Sequence, residues 1–194
     1  FYDSLKNPFR GSTKPILDDY ARVALLALQF SDFYAYDAHA RYRSQYDWLI
    51  ATLENTPPDM ALIVTEHPDH PLFDDSTFAF LRRRYPNLVW MPKFREVHAA
   101  TQFLVEYADT VITVSSSIGW QCLLWKKRLI VCGNSHLDVI ADSHDLTDIG
   151  RMPDAVWPQY KDNLLAWLIS HYYITMEQFE KPGWLVEYLQ RMMT

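Results

Sequence analysis

The chain has 194 residues, of which 49% are hydrophobic and 22% charged, and this composition excludes a disordered or fibrous protein. Lys and Arg total 18 against 24 for Asp and Glu, and the formal net charge of −6 argues against a nucleic-acid-binding domain. No apolar run reaches the roughly 20 residues of a membrane-spanning helix. The sequence opens at Phe1 with neither an initiator Met nor a visible signal peptide, as a fragment of a longer chain would. We expect a cytoplasmic protein.

Short apolar segments alternate with amphipathic ones along the first 150 residues. Continuous apolar runs are typical of strands that are covered on both faces. The predicted strands are Arg22–Phe30, Ala61–Thr65, Asn87–Met91, Thr110–Val114 and Arg128–Cys132. The predicted helices between them are Ala40–Asn55, Asp74–Arg84, Glu96–Ala108 and Ile118–Trp125. This alternation indicates an α/β fold with a Rossmann-like, doubly wound parallel sheet of about five strands.

The pattern changes after Gly150. Leu164–Tyr173 and Trp184–Met193 have helical periodicity, and no further strand signal follows. We therefore expect a sheet domain over residues 1–150 and a C-terminal helical tail over residues 151–194 that packs on the same domain.

The most informative segment is VITVSSSIGWQCLLW, in which a strand runs into Ser115, Ser116 and Ser117 and then into a helix. Hydroxyl side chains at a helix start cap free N–H groups, and together with the helix dipole they can form an anion site. Gly119 would allow a phosphate to approach the backbone closely. Plain capping without a ligand explains the same residues.

His67 follows the second strand directly, where it could donate a hydrogen bond to a phosphate, although taken alone it is more often an ordinary loop histidine. His70 lies three residues further on, but the prolines of HPDHP break helical spacing and no third ligand is near, so no metal site is expected. The chain has five glycines and lacks both GxGxxG and GxSxG, which argues against a dinucleotide oxidoreductase and an α/β-hydrolase. Cys122 and Cys132 are predicted to be buried, reduced thiols.

Three segments taken together resemble bacterial capsule and lipopolysaccharide polysaccharide biosynthesis glycosyltransferases. They are LQFSD, which ends the first strand, EHP, which ends the second, and ADTVITVSSSIGWQCLLWKKRLIVCG. The likeness covers about Val23 to Gly133 and is greatest to enzymes that transfer Kdo from CMP-Kdo. The His-Pro and Ser-Ser motifs are also similar to those that bind CMP in bacterial sialyltransferases.

The resemblance implies the C-terminal, nucleotide-binding half of a GT-B enzyme, with a CMP-sugar as donor substrate and no metal or other cofactor. His67 would contact the donor phosphate, and Ser116 and Ser117 would hold it with the N–H groups of the following helix. The cleft between the two halves would be lined by Gln29, Asp32 and Glu66. Glu66 stands where related sequences often have a basic or small residue.

A GT-B enzyme also needs an N-terminal domain for the acceptor and usually for the catalytic base. This chain has strands for one sheet only, so we expect half of an enzyme, and no catalytic residue is assigned. The resemblance implies a glycan or glycolipid acceptor and at most a peripheral place at the inner membrane. Three alternatives stay open: a non-catalytic nucleotide-sugar-binding module, an enzyme similar to UDP-sugar epimerases, and an interaction protein with an aromatic surface.

Overall fold

A computed structural model of the chain describes residues 7–31, 34–37, 39–151, 157–172 and 176–192. Its strands are β1 (Arg22–Ala27), β2 (Met60–Thr65), β3 (Leu88–Val89), β4 (Thr110–Thr113) and β5 (Arg128–Val131). The helices of the first 156 residues are α1 (Lys14–Leu17), α2 (Tyr34–Asp37), α3 (Gln45–Asn55), α4 (Asp75–Arg84), α5 (Lys93–Glu96), α6 (Ala100–Leu104) and α7 (Ile118–Trp125).

The five strands form one parallel sheet in the order β3-β2-β1-β4-β5. This is the strand order of a Rossmann half, and it confirms the predicted fold class. The sheet is flanked by helices, and every residue of β2 is buried, as expected for a strand covered on both faces. The chain progresses outward from β1 to β3 and then returns to place β4 beside β1, so the strand order reverses between β1 and β4.

Two predicted elements differ from the structure for local reasons. The predicted helix over residues 96–108 is interrupted because Ala99 adopts a left-handed conformation with φ 55°. It becomes α5, then α6, then a 3₁₀ turn over Val105–Tyr107. The predicted helix over residues 40–55 begins only at Gln45, where the Ser44 hydroxyl accepts a hydrogen bond from the Asp47 N–H at 3.0 Å and caps the first turn.

The end of β5 is tied to the segment that follows β1. The Asn134 N–H donates to the His39 carbonyl at 3.1 Å, and Ala40 forms an isolated bridge with Gly133. A Cβ at Gly133 would lie 2.2 Å from the His39 carbonyl oxygen, so only glycine permits this approach. The contact brings the backbone after β1 close to the end of β5.

The contacts divide the chain into two compact units, Phe1–Val156 and Trp157–Thr194. The second unit contains α8 (Gln159–Trp167), a π-helical turn (Leu168–Tyr172), α9 (Met176–Phe179) and α10 (Trp184–Met192). Residues 173 and 193, where the two predicted tail helices end, lie outside the described residues. That the tail packs on the sheet domain stays a prediction. Within the ranges described, no helix is long and apolar enough to cross a membrane.

Candidate functional site

A cavity of about 310 Å³ lies at the carboxyl edge of the sheet, among the segments that follow β1, β2 and β4. This position is the reversal of strand order, where parallel α/β sheets usually bind ligands. Six of the residues singled out from the sequence line the cavity: Gln29, Glu66, His67, Ser115, Ser116 and Ser117. Residues from three separate strand ends therefore meet around one space, while their roles toward a ligand stay predictions.

Gln29 joins the end of β1 to the turn after β4. Its side-chain oxygen accepts from the Ser115 N–H at 2.9 Å and the Val114 N–H at 3.3 Å, and its side-chain nitrogen donates to the Ser115 hydroxyl at 3.0 Å. The Gln29 residue is buried, and its own N–H donates to the Gln45 side chain at 3.2 Å. This amide bridge fixes where the serine turn begins relative to β1.

The serine turn leads into α7, but fewer helix-start N–H groups are available than the sequence suggested. The N–H groups of Gly119 and Trp120 donate back to the carbonyls of Ser116 and Ser117 at 3.0 and 3.1 Å. The Ile118 N–H has a longer contact of 3.4 Å to the Ser116 hydroxyl. Ser117 is exposed and its side chain makes no capping hydrogen bond. Of the three serine hydroxyls, that of Ser117 is therefore the one least involved in the hydrogen bonds of the turn.

Gly119 has a packing role in the fold, while its predicted role toward a phosphate stays a prediction. It is buried in α7, does not belong to the cavity lining, and a Cβ at this position would lie 2.5 Å from Leu137 Cδ1. Leu137 is itself fully buried, so it has little room to move. Glycine at position 119 therefore allows α7 to pack closely on Leu137.

Gly119→Ala should lower the free energy of unfolding by about 1–3 kcal/mol, because an added methyl overpacks a filled core. Chemical denaturation measures this effect. Gly11→Ala is the matched control, since a Cβ there has no atom within 4 Å. Unchanged stability of Gly119→Ala, combined with loss of anion binding, would contradict the packing role.

His67 lines the cavity as a neutral imidazole. Burial, and then repulsion from His70, lower the pKa of His67 below its ordinary value, although Asp69 opposes the shift. The Asp69 N–H donates to His67 Nδ1 at 3.3 Å, so the proton of the neutral ring belongs on Nε2. The His67 ring also packs edge-on against Phe30, with 4.9 Å between ring centroids. Such a ring can donate one hydrogen bond to an anionic oxygen.

Glu66 lines the cavity without offering it a free carboxylate. Its side chain is only 2% exposed and forms an ion pair with Arg95 at 2.7 Å. Its other carboxylate oxygen accepts from the Leu72 N–H at 2.7 Å and the Phe73 N–H at 3.1 Å. The acidic residue at this position is therefore explained by the hydrogen bonds with which it fixes the loop between Glu66 and Phe73.

Three contributors escaped the sequence-based prediction. Thr101 lines the cavity and donates to the Thr65 hydroxyl at 2.9 Å, and Phe30 lines it beside His67. Arg95 acts on the Glu66 carboxylate from α5. Thr101 and Arg95 lie in segments with no motif, so only the fold could reveal them. The predicted cleft residue Asp32 lies outside the described residues.

Among the described residues, few cationic side chains and metal ligands lie around this cavity. No lysine or arginine belongs to its described lining. Among the residues that the structure describes, no three His, Cys, Asp or Glu side chains come together in a way that could hold a metal ion. Both cysteines are free and buried, as predicted, and burial raises the pKa of Cys132 to about 12, which keeps this thiol unreactive. The described lining therefore offers serine and threonine hydroxyls and one imidazole.

Comparison with known proteins gives a family and little else. No curated protein matches the sequence. One solved structure, described as the glycotransferase of kitacinnamycin, is 17% identical over 90% of this chain, with a TM-score of 0.39. The chain spans 39% of the length of that protein. The family model for capsule polysaccharide biosynthesis proteins matches residues 7–165. This chain therefore belongs to the capsule polysaccharide biosynthesis protein family.

Proposed function

We propose that this chain is the donor-binding part of a glycosyltransferase that moves a sugar, with Kdo from CMP-Kdo as the favoured donor, onto a bacterial surface polysaccharide or glycolipid. The observation that carries the proposal is the cavity at the reversal of strand order, where His67 and the serine turn meet. Membership of the capsule polysaccharide biosynthesis family supports the polysaccharide part of it. The resemblance of the EHP and SSS segments supports the donor.

The charge of the cavity favours a nucleoside monophosphate sugar over a diphosphate sugar. At the phosphate group alone, a CMP-sugar carries one negative charge and a UDP-sugar two; the carboxylate of Kdo lies on the sugar and is not part of this comparison. Buried anions need compensating charge or strong hydrogen bonds, and diphosphates commonly receive them from Arg, Lys or a metal ion. The described lining contains no Lys or Arg but has several hydroxyls and the His67 imidazole. These groups suit a single phosphate charge.

The proposed chemistry follows from where charge develops. When the bond between the sugar and the phosphate breaks, negative charge accumulates on the leaving nucleotide. Hydrogen-bond donors that already point at this site stabilise the charge without reorganising. In our proposal, His67 supplies an Nε2–H donor, and Ser117 supplies a hydroxyl that no capping bond consumes. Gln29 keeps the serine turn in register with β1.

Calorimetric titration with CMP, UMP, UDP and GDP tests the donor assignment. We expect CMP to bind at least about tenfold more tightly than the other three nucleotides, which corresponds to about 1.4 kcal/mol. The measurement is made on this chain and on the whole gene product that contains it. Tighter binding of UDP would instead favour an enzyme similar to UDP-sugar epimerases. Absence of nucleotide binding in both proteins would contradict the proposal.

A non-catalytic nucleotide-sugar-binding module is the second candidate. It is favoured by the state of Glu66, the one carboxylate in the described lining, because Arg95 and two backbone amides already occupy it. A carboxylate engaged in this way cannot act as a general base. Assays of CMP-Kdo turnover by the whole gene product separate the two candidates, since the module would bind the donor and leave it intact.

A further inference from the structure

The loop that carries His67 is closed by its own first residue. The Glu66 carboxylate accepts from the N–H groups of Leu72 and Phe73, at the far end of the loop, at 2.7 and 3.1 Å. Inside this closure the His70 N–H donates to the His67 carbonyl at 3.2 Å, and the two histidines form an isolated bridge. Residues 66–73 therefore form a compact loop that is closed by the hydrogen bonds of the Glu66 carboxylate.

Arg95 lies outside this loop and binds the Glu66 carboxylate that closes it. Its Nε donates to Glu66 Oε2 at 2.7 Å, and another of its nitrogens donates to the Phe73 carbonyl. A third donates to the Asp75 carboxylate at 2.6 Å. The Arg95 guanidinium also lies 4.9 Å from the centre of the Trp90 ring. All three nitrogens are used, so the side chain is fixed in place and is 26% exposed.

These contacts determine how His67 meets the cavity. Glu66 immediately precedes His67, and the turn that Glu66 closes places the Asp69 N–H on His67 Nδ1. That hydrogen bond assigns the ring proton to Nε2. If the loop opened, the imidazole would lose this partner and its place beside Phe30. The orientation and tautomer of His67 thus depend on the Glu66–Arg95 ion pair, which forms without a bound ligand.

We propose that Glu66 and Arg95 are positioning residues for the donor site, and that they hold His67 so that its Nε2–H faces the donor phosphate. The inference rests on the proposed function for the identity of the ligand. Glu66 and Arg95 would act on the donor only through His67. This role also explains why an acidic residue, Glu66, lies within a site for an anion.

The test uses a charge-neutral double variant, Glu66→Met/Arg95→Met, which removes the acceptor oxygens of Glu66 together with the guanidinium, so that any change at His67 reflects loosening of the loop. In NMR titration, with the His67 signal assigned by its loss in His67→Ala, we expect the His67 pKa to rise toward the ordinary histidine value. Asp69 and His70 are the charged neighbours that contribute to it in the intact loop. A general loss of stability would leave the pKa of the folded state unchanged, and an unchanged pKa would overturn the proposal.

CMP affinity, measured by calorimetry, supplies the second readout. We expect the double variant to bind CMP about tenfold more weakly, the lower end of what loss of a histidine-orienting partner costs in metal sites. In a His67→Ala background the same double variant should change the affinity less than about twofold, because the effect passes through His67. A full tenfold loss in both backgrounds, or no loss in either, would overturn the proposal.

Controls separate this inference from the function on which it rests. Lys14→Gln/Asp18→Asn removes an exposed ion pair of the same length, 2.7 Å, and should change neither readout. If the double variant does not fold, Arg95→Lys keeps the charge but loses the planar fork, and the pKa should rise in the same direction. If the unmodified protein does not bind CMP, the proposed function fails, and the titration of His67 still decides the positioning role.

Discussion

Under the proposed function, His67→Ala should lower kcat/KM for sugar transfer from CMP-Kdo by the whole gene product by about 10²–10³, equivalent to about 3–4 kcal/mol. This is the typical cost of removing one preorganised donor from the charge that develops in a transition state. Ser117→Ala should have an effect in the same direction, because its hydroxyl lines the cavity and makes no capping hydrogen bond. Initial rates at subsaturating CMP-Kdo measure both effects.

Substitutions of exposed residues of the same types serve as controls for stability and specificity. His98→Ala and Ser76→Ala alter exposed residues outside the cavity lining and should leave transfer unchanged. Thermal unfolding of His67→Ala and Ser117→Ala should match that of the unmodified protein, since neither side chain belongs to the buried core. Normal transfer by both variants would exclude the cavity as the donor site.

Gln29→Met is expected to weaken the fold and the site together. Methionine preserves the shape of the side chain but removes the amide that serves Ser115 and Val114. Backbone N–H groups left without a partner at a buried position cost about 1–3 kcal/mol each. We therefore expect the free energy of unfolding to fall by about 2–3 kcal/mol in chemical denaturation. CMP affinity should also fall, because the serine turn loses its connection to β1.

The matched control for this substitution is Gln102→Met, on the exposed side of α6, which should change the free energy of unfolding by less than about 0.5 kcal/mol. If Gln29→Met lowers stability but leaves CMP affinity intact, the bridge is only structural. If it lowers neither, the hydrogen bonds around Ser115 contribute nothing measurable, and the account of the serine turn is wrong.

Much of the fold was predictable because the signals are local. Buried parallel strands require continuous apolar runs, and β2 was predicted to within one residue at its start for this reason. The predicted α7, Ile118–Trp125, coincides with the observed helix. The predicted first strand extended too far, since beyond Ala27 the backbone N–H of Gln29 turns to the Gln45 side chain. That partner lies 16 residues away, and no local pattern signals it.

The sequence also placed six of the cavity residues, because carboxyl ends of parallel strands must meet at one edge of a sheet. It did not reveal the close packing of Gly119 on Leu137, since a helix-start glycine looks the same whether a ligand or Leu137 approaches it. It could not identify what Glu66 does, because its partner Arg95 lies 29 residues away on α5. The strands and the residues at their ends thus follow from apolar patterning and chain direction, which are properties of the sequence, whereas the order of the strands in the sheet is decided by tertiary packing. The pairing of Glu66 with Arg95 and the bridge from Gln29 to Ser115 follow only from packing, because long-range contacts depend on where separate segments come to rest.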